Sequence, residues 1–135
     1  MADLRILVVD DQKAVCVALQ RVLGTHAGWE VVGTAMDGVE ALGKAKDLKP
    51  DIVVMDLTMP EMNGLEATPL IKRAVPDTEI LIFSLHGSTG MVKQAQNAGA
   101  TGYVSKARAK SIIPAIEAMA QHKPFFDTEH MVGGG

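Results

Sequence analysis

The stretch Ile52-Val53-Val54-Met55-Asp56 decides the fold: four apolar residues run straight into an acid. A second stretch, Ile6-Leu7-Val8-Val9, ends the same way in Asp10-Asp11. Runs this short, apolar throughout rather than alternating, are expected of strands covered by helices on both faces of a parallel sheet. If these two runs are neighbouring parallel strands, three carboxylates meet at one sheet edge. Like charges crowded together repel and raise one another's pKa values, and a bound cation is the simplest compensation.

Working outward, apolar runs at residues 4–9, 31–35, 52–55, 79–84 and 102–104 predict five strands. Helical patterns fill the gaps. Val15, Leu19, Val22 and Leu23 make an i, i+4, i+7, i+8 stripe that Gly24 can stop. Asp37-Gly38-Val39-Glu40 has capping-box spacing ahead of Ala41, Leu42, Ala45 and Leu48, and Pro50 ends that helix. Pro69 predicts either a kink in a helix begun near Gly64 or a regular helix capped by Thr68. A fourth helix is expected over 88–98, with Met91, Ala95 and Ala98 inward and Gly99 closing it. In the fifth, Ser111 is the expected N-cap, Pro114 sits harmlessly at the third helical position, and Ile113, Ile116 and Met119 or Ala120 face the sheet.

Strand and helix alternate five times, which implies an α/β fold with a parallel sheet, right-handed crossovers and helices on both faces. Ligands in such folds sit beyond the C-terminal strand ends, where the acids fall. The 135 residues suit one domain, here expected over 1–126, with 127–135 as a tail or linker stub ending in Gly133-Gly134-Gly135. With 47% apolar and 21% charged residues the composition is that of a globular protein. No apolar run approaches the roughly 20 residues that span a bilayer. The first residues run into the first strand without a basic leader or apolar signal core, so a cytoplasmic location is expected. Cys16 is the only cysteine and lies in a helical pattern, which suits packing in a reducing compartment. A net charge of -3 with no Lys/Arg-rich block argues against direct nucleic-acid contact.

The topology collects Asp10 and Asp11 after the first strand, Asp56 after the third, Ser84 closing the fourth and Lys106 after the fifth. That set supplies what phosphoryl transfer to a carboxylate requires. Mg²⁺ takes oxygen ligands from one or two carboxylates, with water and phosphate completing the octahedron. Asp11 and Asp56 suit direct binding, and Asp10 binding through water. An aspartate can form an acyl phosphate when the metal and a cation such as Lys106 offset the charge of the incoming phosphoryl oxygens. The Ser84 hydroxyl can then donate to a phosphoryl oxygen. Taken singly, each aspartate suits a helix cap and Lys106 a solvated surface, so the chemistry rests on the set.

The segments "LVVDD", "DIVVMDLTMPEMNG", "ILIFS" and "GATGYVSK" resemble the receiver domain of bacterial two-component response regulators, from Ile6 to about Phe126. "DLTMPEMNG" followed by "GYVSK" is most similar to the LuxR/NarL-type subgroup, which usually carries a C-terminal helix-turn-helix DNA-binding domain. The resemblance implies a flavodoxin-like (βα)5 three-layer sandwich with strand order 2-1-3-4-5. It implies Asp56 as phosphoacceptor, Asp10 and Asp11 as the metal pair, and the Thr58 carbonyl as a further Mg²⁺ ligand. Lys106 resembles the phosphate-binding lysine, Ser84 the switch hydroxyl and Tyr103 the aromatic that moves with it. A sensor histidine kinase is the implied donor, an output domain or partner the implied reader, and pairing on phosphorylation a further expectation.

Two positions depart from the family. Ala107 follows Lys106 where proline is common, and Leu85 is bulkier than the small residue often found beside Ser84. His26, His86, His122 and His130 are too dispersed for a metal set, although His86 lies close to Ser84. Competing chemistries fit less well. Haloacid-dehalogenase-like phosphatases resemble Asp-x-Asp after the first strand, whereas Asp10-Asp11-Gln12 is adjacent. A flavin carrier needs a hydroxyl- and glycine-rich phosphate loop where this chain has acids.

Overall fold

The structure, a computed structural model, describes residues 3–85 and 88–127. The elements are β1 (Leu4–Val9), α1 (Lys13–Gly24), β2 (Trp29–Ala35), α2 (Gly38–Leu48), β3 (Ile52–Met55), α3 (Gly64–Ala74), β4 (Glu79–Ser84) and α4 (Thr89–Ala98). They continue with β5 (Gly102–Ser105), a 3₁₀ turn (Lys106–Ser111), α5 (Ile112–Ala120) and β6 (Phe125–Asp127). All strands run parallel in one sheet of order β2-β1-β3-β4-β5-β6. The order expected of five strands is therefore present, extended by a sixth.

Alternate side chains of each strand enter opposite cores, which is why the runs are apolar throughout. Leu7, Val9, Val53, Met55, Ile80, Ile82 and Tyr103 pack with Ala41, Ala45, Ala67, Ile71, Val92 and Ala95 of α2, α3 and α4. Ile6, Val8, Ile52, Val54, Leu81, Phe83 and Val104 pack with Cys16, Leu19 and Leu23 of α1 and Ile112, Ala115, Ile116 and Met119 of α5. Each fully buried aliphatic side chain stabilises the fold by about 1.5–3 kcal/mol before entropy is counted. The sandwich therefore has three layers and two cores.

Several expectations shift. Val22 is 45% exposed, and Cys16 takes the buried place on α1. On α4, Val92 is buried where Met91 was expected, and Met91 and Ala98 are half-buried. The Asp37 side chain caps α2 through the Glu40 N–H at 2.8 Å, but Glu40 returns to the Met36 N–H rather than closing a box. Thr68 is not a cap. Asn63 and Glu66 form a full capping box that starts α3 at Gly64, leaving Pro69 inside the helix and the Thr68 hydroxyl bonded to the Gly64 carbonyl. Ser111 is not a side-chain cap either, since its hydroxyl turns to Asp127.

β6 was not expected, because three residues after a polar turn carry little periodic signal. It forms because the Phe125 N–H donates to the Thr101 carbonyl and registers the segment against β5. Asp127 is thus the last residue of a strand rather than the first of a tail. Residues 128–135, and with them His130, lie outside the described residues, as does His86.

The β3–α3 connection returns so tightly that a Cβ on Gly64 would lie 2.2 Å from the Asp56 carbonyl oxygen and 3.1 Å from the Leu57 Cα. Gly43, by contrast, faces open space. Gly64→Ala is expected to destabilise the domain by about 2–3 kcal/mol, whereas Gly43→Ala stabilises by about 0.5–1 kcal/mol. Urea unfolding of the two variants measures the difference, and equal effects would contradict the close approach.

Candidate functional site

The parallel register sets the site. Val9 pairs with Met55, and Ile82 and Ser84 of β4 lie beside Tyr103 and Ser105 of β5. The residues that follow these strands must therefore emerge side by side. Asp10, Asp11 and Asp56 each place a carboxylate oxygen within 4.8 Å of the other two. Lys106, from the first residue of the 3₁₀ turn, reaches across to them. Its Nζ lies 2.7 Å from Asp10 Oδ2 and 3.6 Å from Asp56 Oδ2.

The three acids are not equivalent. Asp10 is buried and already committed, to Lys106 and to the Gln12 N–H at 2.9 Å. Asp11 is exposed at the rim. Asp56 is buried, and that burial pushes its carboxyl above the usual range. Lys106 opposes the shift, the Asp10 charge adds to it, and the backbone N–H groups of Thr58 and Leu57 oppose it again. Desolvation wins because one partly distant ammonium does not replace lost hydration.

Asp11, Gln12, Asp56, Thr58, Ser84, Leu85 and Lys106 line an open cleft of about 190 Å³. Ser84 is fully buried at its inner wall, and Leu85 stands 69% exposed at its mouth. Tyr103 is fully buried, packed in the core under α4. Burial pushes its phenol up to about 12, and the Asp56 charge contributes to that rise. Cys16 lies near the same acids, its thiol donating to the Asp10 carbonyl, and burial pushes it up. A raised, inert thiol is a packing group, as its helical pattern implied.

The expected residues Asp11, Asp56, Thr58, Ser84 and Lys106 line one cleft, and buried Asp10 joins them through the acid cluster and Lys106. Sequence reasoning missed Gln12, whose backbone orients Asp10, and Gly64, whose lack of a side chain lets α3 start against Asp56. Both belong to quoted motifs, but as residues of geometry rather than of charge. The Lys106–Ala107 peptide is trans.

The donor set fits a hard cation. Three carboxylates against one ammonium leave the cluster with a net negative charge when all are ionised. All the ligand atoms are oxygen, one acid is rim-exposed, and the cleft admits water and a further ligand, as Mg²⁺ prefers. Bound there, Mg²⁺ would neutralise that charge and attract the oxygens of an anionic ligand.

Because Asp56 has its carboxyl raised in the fold, the unfolded chain holds that proton less tightly. The neutral form thus favours folding at low pH, and the contribution is lost as pH rises through the folded value. With metal chelated, Asp56→Asn should raise the melting temperature by a few degrees at pH 7. The gain should vanish at a pH low enough to protonate the parent carboxyl. Thermal scans in EDTA at both pH values measure it, and destabilisation at pH 7 would contradict the assigned cause.

Residues 6–117 match the family described as the response regulator receiver domain. The chain is 45% identical over 102 residues to the chemotaxis protein CheY of Thermotoga maritima, covering 76% of this chain and 84% of that one. It is 35% identical over 130 residues to the response regulator protein VraR of Staphylococcus aureus, covering 96% of this chain but only 62% of VraR. Among solved structures, it is similar to a LuxR-family two-component response regulator from Aurantimonas sp. SI85-9A1. That match has a TM-score of 0.91 and 36% identity, covering 95% of this chain and 92% of the other. The acid-lined cleft, the sheet order that builds it and these similarities agree: the chain belongs to the response regulator receiver domain family.

Proposed function

We propose that Asp56 accepts a phosphoryl group from the phosphohistidine of a sensor histidine kinase, and that this charge switches the surface of the domain. The observation that carries the reading is the juxtaposition of Lys106 Nζ with both Asp10 and Asp56 beside the exposed Asp11. An Asp56 carboxylate oxygen attacks phosphorus, the P–O bond forms, the N–P bond breaks, and the histidine nitrogen leaves with the bonding pair. Asp10, Asp11, Asp56 and the Thr58 carbonyl would hold the Mg²⁺. Lys106 trades part of its pairing with Asp10 for the phosphoryl oxygens, and its fixed charge is most effective in the partly dehydrated cleft. Ser84 donates its hydroxyl to one of those oxygens.

A phosphoryl group adds a charge of about -1.5 to -2 and strong acceptors beside a packed surface. Ser84 and the buried Tyr103 link that charge to β4, β5 and α4, so the readout face is α4, β5 and α5. The domain catalyses only its own phosphorylation and dephosphorylation. Similarity to a LuxR-family regulator supports transcription regulation as the output, through a DNA-binding domain carried with the receiver, in the cytoplasm. Among the described residues no helix is long and apolar enough to cross a membrane. Pairing of two phosphorylated copies through helix faces fits the same reading, as does a stand-alone receiver acting on a partner protein.

Acetyl phosphate with Mg²⁺ should add one phosphoryl group to the parent chain, read by intact mass spectrometry. Asp56→Asn or added EDTA should abolish the product, and Lys106→Ala should slow its formation by about 10²-fold or more. Undiminished labelling of Asp56→Asn would place the phosphoacceptor elsewhere.

A further inference from the structure

Beyond the pairing of the Lys106 ammonium with Asp10 and Asp56, no buried residue holds the turn that carries it. No residue of Lys106–Ser111 is buried, and the backbone leaves helical geometry at Arg108, with φ -121° and ψ 49°. Ala107 supplies no ring to restrict the chain beside the lysine. Neither core packing nor a continuous hydrogen-bond ladder therefore fixes the direction in which Lys106 leaves the sheet.

Side chains take that role. Ser105 Oγ accepts from the Ala107 N–H at 3.1 Å. One oxygen of the Asp127 carboxylate accepts from Arg108 Nε at 2.9 Å, and the other accepts from the Ser111 hydroxyl. Arg108 is the point at which the turn breaks, and Ser111 closes it on the far side. A single carboxylate thus staples both halves of the break. Asp127 itself is anchored by β6, where it pairs with Val104, two residues ahead of Lys106.

We propose that Asp127 is a positioning residue for Lys106: the β6 carboxylate fixes the Lys106–Ser111 turn and so aims the ammonium at the phosphoryl group. The inference rests on the reading of Asp56 as phosphoacceptor. It gives β6 a function that edge protection alone does not. The Arg108 side chain is 46% exposed, and an ion pair so accessible to water contributes little to global stability. Its effect should therefore appear in the geometry of the site, where small displacements of a charged group are costly.

The test separates metal from phosphoryl recognition, because the acids would hold Mg²⁺ whereas Lys106, paired with Asp10 and Asp56 in the free domain, would turn to the phosphoryl group without ligating the metal. Affinity for Mg²⁺ alone, and for beryllofluoride in saturating Mg²⁺, is measured by calorimetry on the full chain and on Asp127→Ala, Asp127→Glu and Arg108→Gln. Beryllofluoride affinity should fall about tenfold in Asp127→Ala and severalfold in Arg108→Gln, with Mg²⁺ affinity nearly constant and partial rescue in Asp127→Glu. Arg108→Gln leaves β6 in place and decides the matter should Asp127→Ala not fold. Wild-type beryllofluoride affinity in the variants, or equal loss of both ligands, would overturn the staple. If the parent chain fails to bind beryllofluoride in Mg²⁺, the phosphoacceptor reading fails and the inference falls with it.

Discussion

Uncompensated negative charge at the C-terminal edge of the sheet is the constraint around which this domain is arranged. Asp10, Asp11 and Asp56 crowd within a few ångströms, and Lys106 answers only one of the three charges. In a partly buried cleft such an imbalance costs stability, because the local dielectric is lower than that of water. The burial of Asp56 shows that the fold tolerates the cost instead of relieving it. A site strained in this way has an affinity for whatever brings positive charge, and it responds when that charge balance changes.

The rest of the structure holds the imbalance in place. Apolar strands, buried on both faces, fix the register that brings Asp10 beside Asp56. The Asn63–Glu66 box and the bare Gly64 start α3 hard against the Asp56 carbonyl, so Asp56 sits on a backbone with little freedom. Lys106 comes from the opposite kind of element, an exposed and broken 3₁₀ turn. A rigid acid pair facing a cation on a tethered turn is well suited to a switch, because one side can shift without disturbing the cores.

How much of this the sequence disclosed follows from what kind of signal each feature leaves. Buried parallel strands leave runs of apolar residues, and acids directly after them are plain to see, so the parallel sheet and its acidic edge were legible, whereas the strand order and Thr58 followed from the family resemblance. Helix faces were read less well. Val22 fits the apolar stripe of α1 yet is exposed, at the border of an open apolar groove that it lines with Leu19, Phe83 and Ile112. Pro69 left two starts open, near Gly64 or at Thr68, and the upstream cap with the close approach of Gly64 decides for the first. β6 and its carboxylate staple were invisible, since three residues have no period and the partner residues lie 16 or more positions away.

Three acids from two strand ends are placed to share one divalent ion, next to a lysine that would not bind it. Calorimetric titration of the protein with Mg²⁺ tests this most directly. One ion per chain is expected, with binding severely weakened in Asp11→Asn and in Asp56→Asn and retained in Lys106→Ala. Absence of Mg²⁺ uptake by the parent protein, or uptake indifferent to both acid substitutions, would contradict it.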